Sequence, residues 1–196
     1  MLGSILTDIA RYVGHHPIRV RGTFAGSVAH ADPAAEWAVA VRTLDATMTA
    51  SGPQGERTIG ADSFFHTIFS TDLAETEILT AVRLPLLTSQ HRAGFAEFAR
   101  RAGDFALVMA FFTCRVTDGL LSEVRLGLGG VSDTPVRVPE VEAAMNGREL
   151  GPDIAAEAAA IAAESVAPLE DIHGSVAYRT DLIRAMVRRA VERALA

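Results

Sequence analysis

Two apolar runs folded back on each other at Asp118-Gly119 constrain this chain most. The stretch "FALVMAFFTCRVTDGLLSEVRLGLGG", residues 105–130, places a strongly hydrophobic run before that dipeptide and a more alternating one after it. Asp-Gly takes up the positive φ angles of a tight hairpin at little steric cost. With "GFAEFAR" just upstream as a further strand, a three-stranded antiparallel meander is predicted. Helices follow at about 139–146, closed by Asn146-Gly147, at 153–166 and at 174–195. In the last helix Leu182, Ile183, Met186, Val187, Ala190 and Val191 form an apolar stripe. Arg184, Arg188 and Arg189 lie off that stripe and read as a solvated face.

The first half has a different texture. Leu2, Ile5, Leu6, Ile9 and Val13 recur at helical spacing and predict a helix over 2–13 that ends at Gly14. "AEWAVAVRTL" reads as helix and "DATMTASG" as strand. "GPQG" at 52–55 turns the chain into "ERTI", and "EILTAVRLP" at 77–85 is a further strand stopped by Pro85. The polar "LTSQHRA" at 87–93 is the predicted boundary between two units, residues 1–88 and 93–196. The fold class is α+β.

Composition narrows the function classes. A chain of 196 residues with 49% hydrophobic content can bury a sizeable core. Its net charge of −6 argues against a general nucleic-acid surface, which needs dense Lys and Arg. No stretch approaches the ~20 apolar residues of a membrane span, and no signal-peptide layout is visible, so a cytoplasmic protein is expected. Cys114 is the single cysteine. An internal disulfide, a multi-thiolate zinc site and a cysteine-ligated iron–sulfur cluster are therefore excluded within this chain, and Cys114 reads as a buried structural thiol.

The segment "RGTFAGSVAHADPAAEW", residues 21–37, is the most suggestive of chemistry. A metal site would use His30, Asp32 and Glu36, but it lacks a third nitrogen or thiolate ligand. A hydrolase elbow needs G-x-S-x-G, and here Gly26-Ser27 is followed by Val28-Ala29. A small-residue turn at Thr23, Ala25, Gly26 and Ser27 would let backbone N–H groups and hydroxyls approach a diphosphate.

"IRVRGTFAGSVAHADPAAEW" closely resembles the second flavin-binding segment of the FAD-binding subunits of molybdenum hydroxylases. This is the family of carbon monoxide dehydrogenase medium subunits and the xanthine dehydrogenase flavin domain. The resemblance continues through "GERTIGADSFF", "EILTAVRLP", "GFAEFARRAGDFALV", "LGLGGVSDTPVR" and "YRTDLIRAMVRRAVERAL", nearly the whole chain from about residue 3. It implies that residues 1–88 are the second half of a FAD-binding domain and 93–196 the C-terminal domain of the family. The FAD contacts it implies are Thr23, Gly26 and Ser27 at the diphosphate, with Ala25 where a glycine is usual, and Glu36 or Asp32 toward the adenosine. Ile78 and Leu79 would lie beside the isoalloxazine, and Arg101 and Asp104 near the flavin edge. "GLGG" at 127–130 has the look of a phosphate loop but closes a strand in the family, and is taken as structural. No catalytic acid or base and no metal ligand is expected on this chain.

The resemblance further implies a heteromeric oxidoreductase. A large partner subunit holds the molybdenum cofactor, a small partner holds [2Fe–2S] clusters, and FAD passes their electrons to an external acceptor. Family members also carry a preceding subdomain with an A-G-G-x-S/T loop, which this sequence does not contain. FAD binding is therefore expected to depend on a separate polypeptide supplying that half, or apolar surface left uncovered would promote self-association. The alternative is an assembly or interaction subunit that keeps the fold without FAD.

Overall fold

The computed structural model describes residues 2–196. Four helices open the chain: α1 (Leu2–Ala10), α2 (His16–Arg21), α3 (Phe24–His30) and α4 (Glu36–Thr43). Strands β1 (Thr47–Gly52) and β2 (Gly55–Gly60) form a hairpin, followed by α5 (Ala61–Phe64), the short pair β3 (Phe65–Thr67) and β4 (Ser70–Thr71), and β5 (Ile78–Arg83). Then come β6 (His91–Phe98), β7 (Val108–Thr117), β8 (Leu120–Gly129), β9 (Val136–Arg137), α6 (Pro139–Met145), α7 (Ile154–Ser165) and α8 (Val176–Leu195). Strands order as β2-β1-β5 in one sheet and β6-β7-β8-β9 in another, with β3-β4 apart. None of the described helices is long and apolar enough to cross a membrane.

Why the first five residues of β7, 108–112, are all apolar follows from its place in the larger sheet. Val108, Ala110, Phe112 and Cys114 point into a core shared with α6, α7 and α8. Met109 and Phe111 point the other way, into a cluster with Ile5 and Ile9 of α1 and Val39, Ala40 and Leu44 around α4. A strand covered on both faces has no polar side to present. Cys114 is fully buried, and burial pushes its thiol up to about 12, with the Arg92 charge opposing. It is inert at neutral pH.

Three local expectations are corrected. The large antiparallel sheet has four strands, because Val136 and Arg137 pair with Leu128 and Gly127 as β9. The first helix ends at Ala10, and turns of the backbone carry the chain to Gly14 at φ +46°. Residues 23–27 form the capped first turn of α3 rather than a separate small-residue turn: Thr23 caps the helix, its hydroxyl accepting from Gly26 N–H at 3.0 Å. Ala25 therefore takes helical backbone, and its Cβ imposes no left-handed strain.

The "GLGG" segment is where the two halves meet. A Cβ on Gly127 would overlap the Thr43 hydroxyl of α4, and one on Gly129 would overlap Val39. Glycine here lets α4 lie directly on β8.

Candidate functional site

α2, the start of α3, the start of α4 and the loop 103–105 enclose an open cavity of about 1030 Å³. Its placement follows from local chemistry. Thr23 caps α3, and Asp32 Oδ1 accepts from Ala34 N–H at 2.8 Å, turning the chain through Pro33 into α4. That turn is pinned to the far sheet, since Gly130 N–H donates to Pro33 O at 2.9 Å. On the opposite side Gly103, at φ +87°, lies so close to the His15 ring that no side chain would fit there. This contact brings Asp104 and Phe105 to the cavity.

Of the residues predicted from sequence, Thr23, Gly26, Ser27, Asp32, Glu36 and Asp104 line this one cavity. Ala25 is half-buried beside it within α3. Ile78 and Leu79 stand on β5, which packs against α3. Ile78 is 67% exposed, whereas Leu79 is half-buried against the cluster that contains Val28, Val41 and Met48. Arg101 lines a neighbouring hollow of about 680 Å³ between α1 and β6, sharing Gly103 with the first cavity. His30 also lines the main cavity and stacks on Phe69 at 4.8 Å between ring centroids.

Three aromatic residues in the wall were not anticipated. Phe24 and Trp37 pack with ring centroids 4.9 Å apart, and Phe105 is 71% exposed at the cavity. Phe105 opens the apolar run predicted from sequence as a strand, but in the structure it precedes β7. Arg19 also lines the site, with its guanidinium donating to Val13 O and Gly14 O at 2.9 and 2.5 Å.

The donors differ from those of a free backbone cradle. Gly26 N–H is engaged by the Thr23 hydroxyl and Ser27 N–H by Thr23 O at 3.0 Å. A Cβ on Gly26 would lie 2.7 Å from Thr23 Oγ1, so the glycine serves the cap as well as any ligand. Burial raises the Glu36 carboxyl above its ordinary range; a backbone hydrogen bond opposes this and the Asp32 charge adds to it. Behind it on β6, burial pushes Glu97 up to about 8, with the Glu36 charge adding, and its Oε2 has no partner among the described residues.

The family of the CO dehydrogenase flavoprotein C-terminal domain matches residues 93–194, and that of the FAD binding domain in molybdopterin dehydrogenase matches residues 3–87. The nicotine 6-hydroxylase medium subunit of Paenarthrobacter nicotinovorans is 38% identical over 187 residues, covering 95% of this chain and 65% of that protein. Quinoline 2-oxidoreductase from Pseudomonas putida 86 superposes with a TM-score of 0.91 at 35% identity, covering 98% of this chain and 67% of the other. Carbon monoxide dehydrogenase from Hydrogenophaga pseudoflava gives a TM-score of 0.91 at 30% identity, covering 96% and 66%. The chain thus spans about two thirds of the length of the relatives it matches. Sequence and fold agree along both halves, and the chain belongs to the CO dehydrogenase flavoprotein family of molybdenum hydroxylase FAD subunits.

Proposed function

We propose that this chain is the flavoprotein component of a cytoplasmic molybdenum hydroxylase complex, with FAD held in the cavity between α2, α3, α4 and the 103–105 loop. In this reading residues 1–88 act within a FAD-binding domain and 93–196 as its C-terminal companion. Electrons reach the flavin from [2Fe–2S] clusters on a small partner subunit, after substrate oxidation at the molybdenum cofactor of a large one, and leave to an external acceptor.

The observation that carries the reading is the make-up of the cavity. Phe24, Trp37 and Phe105 offer aromatic surface, Ser27 and Thr23 offer hydroxyls, and Asp32 and Glu36 offer carboxyl oxygens within one space of about 1030 Å³. FAD has that combination of flat rings, sugar hydroxyls and phosphates, and the residues present fit it. Gly26 and Ser27 keep side-chain bulk away from the part of the wall where a diphosphate would pass. Glu36 and Asp32 can accept from ribose hydroxyls, and their burial keeps competing water low. Phe105, standing free at the edge, can close over a ring. Bound FAD would supply the ability to take and give electrons singly or in pairs. This chain's own residues are asked only to bind, orient and shield.

Equilibrium dialysis of FAD against the purified chain together with a polypeptide supplying the A-G-G-x-S/T subdomain tests the reading. One FAD per chain is expected, with the Phe105→Ala variant binding about tenfold more weakly, the order set by removing one aromatic ring from the wall. No binding, or binding indifferent to Phe105, would overturn it, and the former would favour an assembly subunit without FAD.

A further inference from the structure

One buried side chain outside the cavity ties its two walls together. Arg179 sits in the first turn of α8, 4% exposed. Its Nη1 donates to Leu107 O and to Gly130 O, both at 2.7 Å, and its Nη2 to Asp171 Oδ2 at 2.6 Å. The two carbonyls belong to different walls. Leu107 closes the 99–106 loop, its N–H donating to Phe98 O at 2.9 Å, and follows closely after Phe105. Gly130 passes its own N–H to Pro33 O, inside the Asp32–Glu36 turn.

Gly130 has φ +74°, and a Cβ there would press on Leu107 O and Ala106 O at 2.7 and 3.0 Å. The two backbone segments therefore run in contact with their carbonyl dipoles close together. The two carbonyls share one donor group, the buried guanidinium of Arg179, whose charge strengthens both bonds. Asp171 holds the cation from outside: its second carboxyl oxygen accepts from His173 and Gly174 N–H at 2.8 and 3.1 Å.

We infer that Arg179 is a positioning residue for the cavity, fixing the spacing between the Asp32–Glu36 wall and the Asp104–Phe105 wall through the carbonyls of Gly130 and Leu107. It touches no ligand itself. The consequence for FAD rests on the function proposed above; the coupling of the walls does not.

Amide hydrogen exchange on the full chain, and FAD dialysis with the polypeptide supplying the A-G-G-x-S/T subdomain, comparing Arg179→Met, Arg179→Lys and Asp171→Ala, test this. All are measured where circular dichroism shows the variants folded. Arg179→Met is expected to speed exchange in 103–107 and 32–36 by about tenfold, the order of one hydrogen bond to a charged donor, and to weaken FAD similarly. Arg179→Lys, which keeps the charge but not the fork, falls between. Asp171→Ala removes the ion pair yet leaves both carbonyl contacts, so exchange in the two walls and FAD binding change less than in Arg179→Met.

Unchanged exchange in the wall segments of Arg179→Met, or equal changes in Asp171→Ala, overturns the inference, because either marks Arg179 as a stabiliser of α8 alone. If Arg179→Met does not fold, Arg179→Lys decides: faster exchange confined to the two walls supports the inference, and faster exchange shared with β7 and β8 overturns it. If the parent binds no FAD but the exchange pattern holds, the functional reading fails and the coupling of the walls stands.

Discussion

The Thr43 hydroxyl occupies the space where a Cβ on Gly127 would stand, so the Thr43 side chain of α4 packs directly on the backbone of β8. Thr43 is fully buried, its hydroxyl donating to Val39 O at 2.7 Å. The contact joins the half of the chain that carries the cavity to the sheet that supports it.

Gly127→Ala is expected to destabilise the fold by about 1–3 kcal/mol through overpacking. Adding Thr43→Ala removes the opposing hydroxyl, so the double variant recovers part of that loss. Urea unfolding of both single variants and the pair measures it. Additive losses would show that the two side chains do not share this space.

Capping and ligand contact can be separated at the start of α3. Thr23→Ala deletes the acceptor for Gly26 N–H and costs about 1 kcal/mol of stability, while leaving the cavity wall unfilled. Gly26→Val disturbs the same cap, because its Cβ meets Thr23 Oγ1 at 2.7 Å, and also adds bulk beside the cavity. Thermal unfolding is expected to fall similarly for both. FAD affinity measured by dialysis is expected to fall much further for Gly26→Val. Equal falls in FAD affinity would mean that bulk at Gly26 costs the ligand no more than losing the Thr23 hydroxyl does, and would contradict Gly26 as part of the diphosphate wall.

Glu97 makes stability pH-dependent. Its carboxyl titrates at about 8 in the fold, against 4.5 ordinarily, because burial and the Glu36 charge penalise ionisation. The folded state therefore keeps a proton that the unfolded chain releases. The stability this contributes is full below about pH 4.5 and is lost as pH rises through about 8. Glu97→Gln, which cannot ionise, should match the parent near pH 5 and melt several degrees higher at pH 9, at ~3 °C per kcal/mol for a chain of this size. Melting curves that run parallel across that range would contradict the assignment.

How far the sequence could be read depended on how local each feature is. Asp118-Gly119 and the apolar stripe of α8 announce themselves within a few residues, and hairpin and helix follow. β9 does not: two residues form a strand because Arg137 is held by Glu142 and Asp45, at 2.5 and 2.7 Å, and Asp45 comes from the other half of the chain. α3 was masked because Gly26 and the small residues around it suggest a turn, although Thr23 is a good N-cap residue. The grouping of Thr23, Gly26, Ser27, Asp32 and Glu36 around one cavity follows from proximity along the chain. Phe105 arrives from far later in the chain, on a loop held by His15 and Arg179, and no periodicity marks that path.

Trp37 is the only tryptophan in the chain and stands in the cavity wall. Its emission overlaps flavin absorption, so quenching by added FAD reports bound flavin, and the Phe105→Ala comparison ties that flavin to this cavity. The measurement that bears most directly on the central claim is a fluorescence titration of Trp37 with FAD in the presence of a tryptophan-free polypeptide supplying the A-G-G-x-S/T subdomain, alongside the Phe105→Ala variant. Saturable one-to-one quenching, with the midpoint shifted by about tenfold in Phe105→Ala, is the predicted result. Quenching that rises linearly without saturation, while dialysis still detects bound FAD, would place the flavin elsewhere and contradict the account.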